Sequence, residues 1–450
     1  MKLNPTASKL AILALVTALL CAVLAQIGGL VSERQWRQRE AARGVAQSLA
    51  GAQALAGPLL VRACKESWPV AGAEGRKDVI ESRDFWLVAA PSRLRVSGGI
   101  SPEVRQRGLF QVNTYTSQLD VEAQWDAPTA LQPRAEHANG RLACEEPAVA
   151  VALSDPRGIR TAALRRDGQA LAVRPGTTLP ALRGGLHAVL PGLRPDAPLA
   201  LSLRLNLVGS QKLGIVPAAG DTQVALQSSW PHPSFTGQFL PVEHAVGASG
   251  FSARWQVSSL ASGAVADVQA GRPLPDLAAE GGTAAAAAAA LDVLAVELID
   301  PVNPYLMSER AIKYGLVFIA LTFVTVGLTE LLTGRRVHPV QYLLVGLALA
   351  LFFLLLLSLS EHLPFVRAYL IAAGAAALVL TSYAAAMLGG WRRGAAFGAG
   401  IALLYGALYL LLSREQTALL IGAVLLFAVL AAVMVLTRRL DWYRLGQAAE

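Results

Sequence analysis

Between Ala311 and Arg439 the chain carries five long apolar runs. A doublet of arginines follows every second one: Arg335-Arg336 after the first run, Arg392-Arg393 after the third and Arg438-Arg439 after the fifth. About 20 apolar residues are what a helix needs to cross a hydrocarbon layer about 30 Å thick. Cytoplasmic loops are the ones enriched in Lys and Arg, so the doublets orient the bundle as well as marking its turns. A sixth run, Leu10 to Val31, stands at the N-terminus behind Lys2 and Lys9. Its length favours an uncleaved anchor over a signal peptide, although Val23-Leu24-Ala25 would serve as a cleavage site. Cys21 reads as a small apolar residue, because Leu19-Leu20 before it are too bulky for lipoprotein processing.

Charge supports the same division. Hydrophobic residues make up 54% of the chain and charged ones 16%, well below the roughly 25% charged residues of a soluble domain. The net charge of +8 could suggest a nucleic-acid partner. Between Ser32 and Arg310, however, 27 Lys/Arg stand against 26 Asp/Glu, so nearly all of the excess lies in the membrane parts. It is explained by topology, and no nucleic acid is expected as a partner.

Tracing the doublets backward gives residues 1–9 inside, a first helix over 10–31 and an extracytoplasmic domain over 32–310. Five helices over 311–333, 340–360, 365–388, 394–413 and 416–437 follow, and a cytoplasmic tail over 438–450. One flank disagrees: Arg34, Arg37, Arg39 and Arg43 follow the first helix on its outer side, with Glu33 and Glu40 among them. Three concordant loops in the C-terminal bundle outweigh that single flank.

The expected fold is therefore a membrane α-helical bundle of six spanning helices with a large, mainly-β, sandwich-like extracytoplasmic domain. Glu33 to Gln53 reads as a polar helical extension broken at Gly57-Pro58. Beyond it, Phe85–Val88, Leu109–Val112, Ala148–Leu153 and Leu199–Val208 are short apolar or alternating segments bounded by turn residues, as in an antiparallel sandwich of one or two subdomains. Residues 263–291, rich in Ala, Gly and Pro, read as a solvent-exposed loop or a short helix through Ala284 to Ala290. Val293–Ile299 reads as a returning strand. Cys64 and Cys144 are the two cysteines of this region, so one disulfide or two buried thiols would fit.

Catalytic motifs are missing. There is no G-x-S-x-G, P-loop, H-E-x-x-H or paired C-x-x-C, and His232 with His244 would need further ligands to hold a metal. No enzyme activity, cofactor or metal is expected. Ionisable groups beside spanning helices are costly to bury and draw more attention. Glu361, His362, Arg367, Arg414 and Glu415 map to the outer ends of the third to sixth helices, and Lys313 joins them at the second. They form either an interfacial charge belt or a polar site that takes a ligand or couples domain to bundle. Glu330, near the cytoplasmic end of its helix, would be neutralised by Arg335 or Arg336. Gly346, Ala348, Gly374, Gly398 and Gly400 would let helices pack closely.

Several polar words in fixed order resemble the CreD family of bacterial inner-membrane proteins. They include Arg310 to Gly315, Leu321 to Phe323, His338 to Gly346, Ser358 to His362, Ala368-Tyr369 and Thr437 to Tyr443. Upstream, Pro102-Glu103 with Arg105 and Arg107-Gly108, Ser154 to Gly158, and Ser229 to Phe235 extend the resemblance over nearly the whole chain. Glu415-Gln416 departs from the Glu-Asp usual there, and the alanine-rich insertion lengthens the approach to the second helix. The resemblance implies a role in cell-envelope integrity, tied to two-component signalling and to sensitivity to β-lactams and colicins. It brings no catalytic residues. Expected partners are the lipid bilayer and other envelope proteins or cell-wall components; the alternative is a transporter or lipid-handling component with its site at the outer helix ends.

Overall fold

A computed structural model describes residues 5–70, 79–137, 139–278, 289–300, 303–333, 337–414 and 418–438. Arg335-Arg336, Arg439, Glu415 and Ala284 to Ala288 lie outside the described residues. The chain forms two compact units, one from Met1–Arg37 with Val302–Glu450 and the other from Gln38–Pro301.

The first unit is helical. Helix α1 (Pro5–Ser48) is followed, after the second unit and its one short helix α2 (Ala264–Gln269), by α3 (Pro304–Thr333), α4 (Pro339–Ser360), α5 (Phe365–Met387), α6 (Trp391–Ser413) and α7 (Ala418–Thr437). All but α2 are long and apolar enough to cross a membrane. The polar extension expected after Val31 is helical as far as Ser48, with an Arg37–Glu33 pair at 2.6 Å, so that α1 has 44 residues and is about 66 Å long. Helix α6 starts at Trp391, three residues before the expected 394. Helix α3 starts at Pro304 instead of at residue 311, where Asn303 Oδ1 accepts the Tyr305 N–H at 3.0 Å and proline suits a first turn that has no amide to satisfy. His338 and Gln341 cap α4 reciprocally, so that part of the His338–Gly346 word is a capping box.

Close packing depends on three glycines. A Cβ on Gly346 would overlap Leu20 of α1, and one on Gly394 or Gly398 would overlap Ala385 or Thr381 of α5. Gly374 and Gly400, also expected at contacts, have open space around them. Phe352, Tyr369 and Tyr405 pack ring against ring in the core. Glu330 takes a hydrogen bond from the Tyr342 hydroxyl at 3.1 Å, a partner the sequence did not suggest.

The second unit is a two-sheet β domain. The first sheet contains β1 (Gln53–Val70), β2 (Val79–Ala89), β5 (Arg141–Cys144), β6 (Ala148–Leu153), β9 (Arg174–Pro175), β10 (Gly185–Val189), β12 (Lys212–Ile215), β14 (Pro233–Gly237) and β17 (Leu294–Leu298). The second contains β3 (Arg93–Arg107), β4 (Phe110–Trp125), β7 (Ile159–Arg166), β8 (Gln169–Ala170), β11 (Leu199–Ser210), β13 (Asp221–Ser228), β15 (Glu243–Gly247) and β16 (Gly250–Ser258). Leu55, Val149 and Ile215 of the first sheet meet Val96, Leu119 and Trp255 of the second in one core.

Four expectations are corrected here. The sheets are mixed, since β1 pairs with β12 and β3 with β13 in parallel. One core serves both sheets, so there are no subdomains. Gly57-Pro58 does not break a helix: it forms a bulge inside β1, between the residues paired to Ala152 and Ala150, where Gly57 takes a φ of +99°. Residues 263–291 are not simply an exposed loop, because Ala264 and Val268 of α2 and Leu291 are buried against Leu59, Val61 and Val216 on the outer face of the first sheet. Cys64 and Cys144 face each other in the β1–β5 ladder and are joined as a disulfide.

Candidate functional site

Of the polar residues expected to gather at the outer helix ends, the structure joins some and leaves others apart. Glu361, which ends α4, keeps only 9% of its side chain exposed, and its Oε1 lies 3.2 Å from Arg34 Nε of α1. The Tyr305 hydroxyl of α3 bonds the same carboxylate. One turn along α3, Glu309 takes a hydrogen bond from Gln35 Nε2 at 2.8 Å and pairs with Lys313 Nζ at 2.8 Å. The stretch of α1 around Arg34, the start of α3 and the α4–α5 turn are thus tied at one end of the bundle. A charge pair this dry needs its partner, because an unpaired buried carboxylate costs several kcal/mol.

Of the four arginines on the flank of α1, Arg34 and Arg37 are each matched to a glutamate, Arg34 at this junction and Arg37 within α1 itself. Arg34, Gln35 and Tyr305 were missed as site residues; the one available signal was Arg34 standing against the topology rule. His362, Arg367 and Arg414 are exposed and make no side-chain hydrogen bond or ion pair among the described residues. Glu415 lies outside the described residues.

Within the β domain, the upstream polar words gather at the two points where the chain leaves for the membrane helices. Asp155 accepts the Gly51 N–H at 2.9 Å, and Ser154 Oγ donates to Ala52 O and accepts from Ala54 N, each at 2.9 Å. Arg157 donates to Gln47 O at 2.5 Å, capping the end of α1, and closes an ion pair of 2.6 Å with Asp155. The Arg157 guanidinium beside Asp155 holds that carboxyl below its usual range, aided by the Gly51 amide. Gly158 has no room for a side chain between Val208 and Gln53.

At the other exit, Trp230 Nε1 donates to His232 O at 3.1 Å and to Ile299 O at 3.0 Å, and Ile299 N–H donates to His232 O at 3.2 Å. The β3–β4 hairpin adds to both. Asn113 Nδ2 donates to Leu298 O at 3.1 Å, and the Arg107 guanidinium lies against Gly44 of α1. Segments distant in sequence therefore clamp both ends of the domain.

A third polar group sits beside the disulfide. Glu66 is fully buried and accepts the amides of Glu136 and His137 at 2.9 Å. Those bonds, led by the His137 amide, hold its carboxyl below the ordinary value. Arg83 pairs with Glu136 at 2.8 Å, and Trp68 stacks on His137 at 3.7 Å. Among the described residues no three His, Cys, Asp or Glu side chains come together as a metal site. His244 lies edge-on to Phe235 at 5.6 Å, apart from the role His232 plays through its carbonyl.

Comparison with known proteins places these features in a family. The profile described as inner membrane protein CreD matches residues 5–443. Inner membrane protein CreD of Escherichia coli (strain K12) is 35% identical over 415 residues, covering 92% of this chain and 88% of that protein. Among solved structures, an M1 zinc metallopeptidase from Deinococcus radiodurans aligns at 10% identity with a TM-score of 0.21, over 46% of this chain and 42% of that one. A likeness that loose says nothing of fold or activity.

Proposed function

Because the chain belongs to the CreD family of inner-membrane proteins, we propose that it is a non-enzymatic support of cell-envelope integrity whose β domain works in the periplasm as a sensing or scaffolding module. The observation that carries this reading is the pair of clamps. Polar words that resemble the family's hold the two exits of the domain, around Gly51 and Ile299. The Cys64–Cys144 disulfide suits an oxidising compartment.

On this reading Glu361 works through Arg34 and Tyr305. It fixes where α1 leaves the bundle, and α1 continues without a break to Ser48, where Arg157 holds its end. The test is complementation in cells lacking the protein, scored by survival under a β-lactam. Wild type should restore survival. Arg157→Ala and Glu361→Ala should fail to do so at unchanged abundance in the membrane. Full rescue by both would overturn the reading.

A further inference from the structure

We propose that the free edge of β15 (Glu243–Gly247) docks an extended peptide segment of a partner protein, which joins the second sheet as a further strand. Strand β15 ends that sheet and pairs only with β16, and all five of its residues are exposed. In an antiparallel ladder every second residue turns its N–H and C=O away from the neighbour already bonded. On β15 those groups meet no strand among the described residues. What complements such a row of amides and carbonyls is another extended backbone.

The other described edges of the domain are protected, and β15 is not. Strands β8 and β9 have two residues each, β14 opens on Pro233, β5 has four residues tied to β1 through the disulfide, and β2 carries Glu81, Arg83 and Asp84 along its exposed stretch. Short length, proline and charge are devices that keep an edge from pairing. Strand β15 has no lysine, arginine or proline, and its carboxylate, Glu243, is matched to Arg254 at 3.0 Å. Its apolar side is also unfinished. Val246 lies opposite Phe251 and His244 opposite Ala253, both core residues, so Val246 and His244 point to the core side of the sheet. Phe235 of β14 meets His244 at 5.6 Å, yet Val246 stays 50% exposed, and Leu240 and Val242 just before the strand are 69% and 64% exposed. A peptide with apolar side chains at alternate positions would carry the core one strand further. Its other side chains would lie beside Glu243, Ala245 and Gly247, where small uncharged polar groups fit. The inference concerns the β domain alone and does not depend on the functional reading above.

The test uses the full chain in a mild detergent and a panel of fluorescent nonapeptides that alternate Val, Ile or Phe with Ser, Thr or Gln, with binding read by anisotropy. At least one peptide should bind wild type saturably. N-methylation of one alternate set of its amides should weaken binding about tenfold, the loss of one or two hydrogen bonds. Methylation of the other set should leave binding unchanged, because a strand meets its neighbour through every second residue. Val246→Lys, an exposed change that puts a charge on the edge, should also weaken binding about tenfold, whereas Ile80→Lys on β2, where Ile80 is 75% exposed, should not. Binding of no peptide, equal effects of the two methylated sets, or undiminished binding to Val246→Lys would overturn the proposal. So would a concentration-dependent dimer of wild type in sedimentation that Val246→Lys abolishes, since a second copy would then be the occupant.

Discussion

A carboxylate with nine-tenths of its surface withdrawn from water is stable only as half of a pair, and Glu361 has Arg34 and Tyr305 for that purpose. Arg34→Ala should therefore cost more than a surface ion pair does, about 2–3 kcal/mol, whereas the double variant Arg34→Ala with Glu361→Gln should recover part of the loss. Thermal unfolding of the full chain in detergent measures both; equal Tm for the single and double variants would contradict a buried pair. Asp155 carries a pH dependence of known sign. Its carboxyl is held low by Arg157, so the stabilisation is complete above the unfolded value of about 3.9 and is lost as pH falls through the folded value. Asp155→Asn should lower Tm at pH 7 and flatten its decline below about pH 4; a decline as steep as that of wild type would assign the acid sensitivity elsewhere, with Glu66 the next group to test.

Elements differ in how plainly the sequence announces them. Strands β6 and β11 are read correctly because a uniform apolar run or strict alternation between turn residues leaves few alternatives. Strand β1 was hidden by its own burial: Gln53 to Val61 are buried without interruption, so alternation is lost, and Gly57-Pro58 imitates a helix stop. The parallel pairing of β1 with β12 joins Gln53 to Leu213, and no local pattern encodes a partner so distant. The site follows the same rule. Glu361 and Lys313 stand out as charges among leucines, while Tyr305 and Gln35 are ordinary residues until the helices meet. At this scale the disulfide is the clearest target. It closes a loop of 80 residues between β1 and β5, and replacing both cysteines by serine should cost about 2–4 kcal/mol. Reducing agent should lower the Tm of wild type to that of the variant; no difference between them in non-reducing conditions would mean that the bridge adds nothing.

For the molecule as a whole, the three arginine doublets beside helices long and apolar enough to span a membrane predict one orientation. Reporter enzymes fused after Gly334 and after Gly390 should be active only in their cytoplasmic form, and a fusion within the β domain only in its periplasmic form. Periplasmic activity at either glycine would invert the bundle, and with it the compartment in which Cys64 meets Cys144.

The position of β1 in its sheet also sets an order on synthesis. It is the first strand of the domain to emerge, yet one of its neighbours is β12, and beyond β12 lies β17, the last strand before α3. While the ribosome makes roughly the next 150 residues, the start of β1 has an open edge, although β2, β5 and β6 pair with the strand elsewhere along its length. The first sheet is finished when Leu294–Leu298 docks, just before the next apolar helix enters the translocation machinery. Completion of the domain and insertion of the remaining bundle are thus successive events on one nascent chain, and a delay in the first leaves an unsealed strand while the second proceeds.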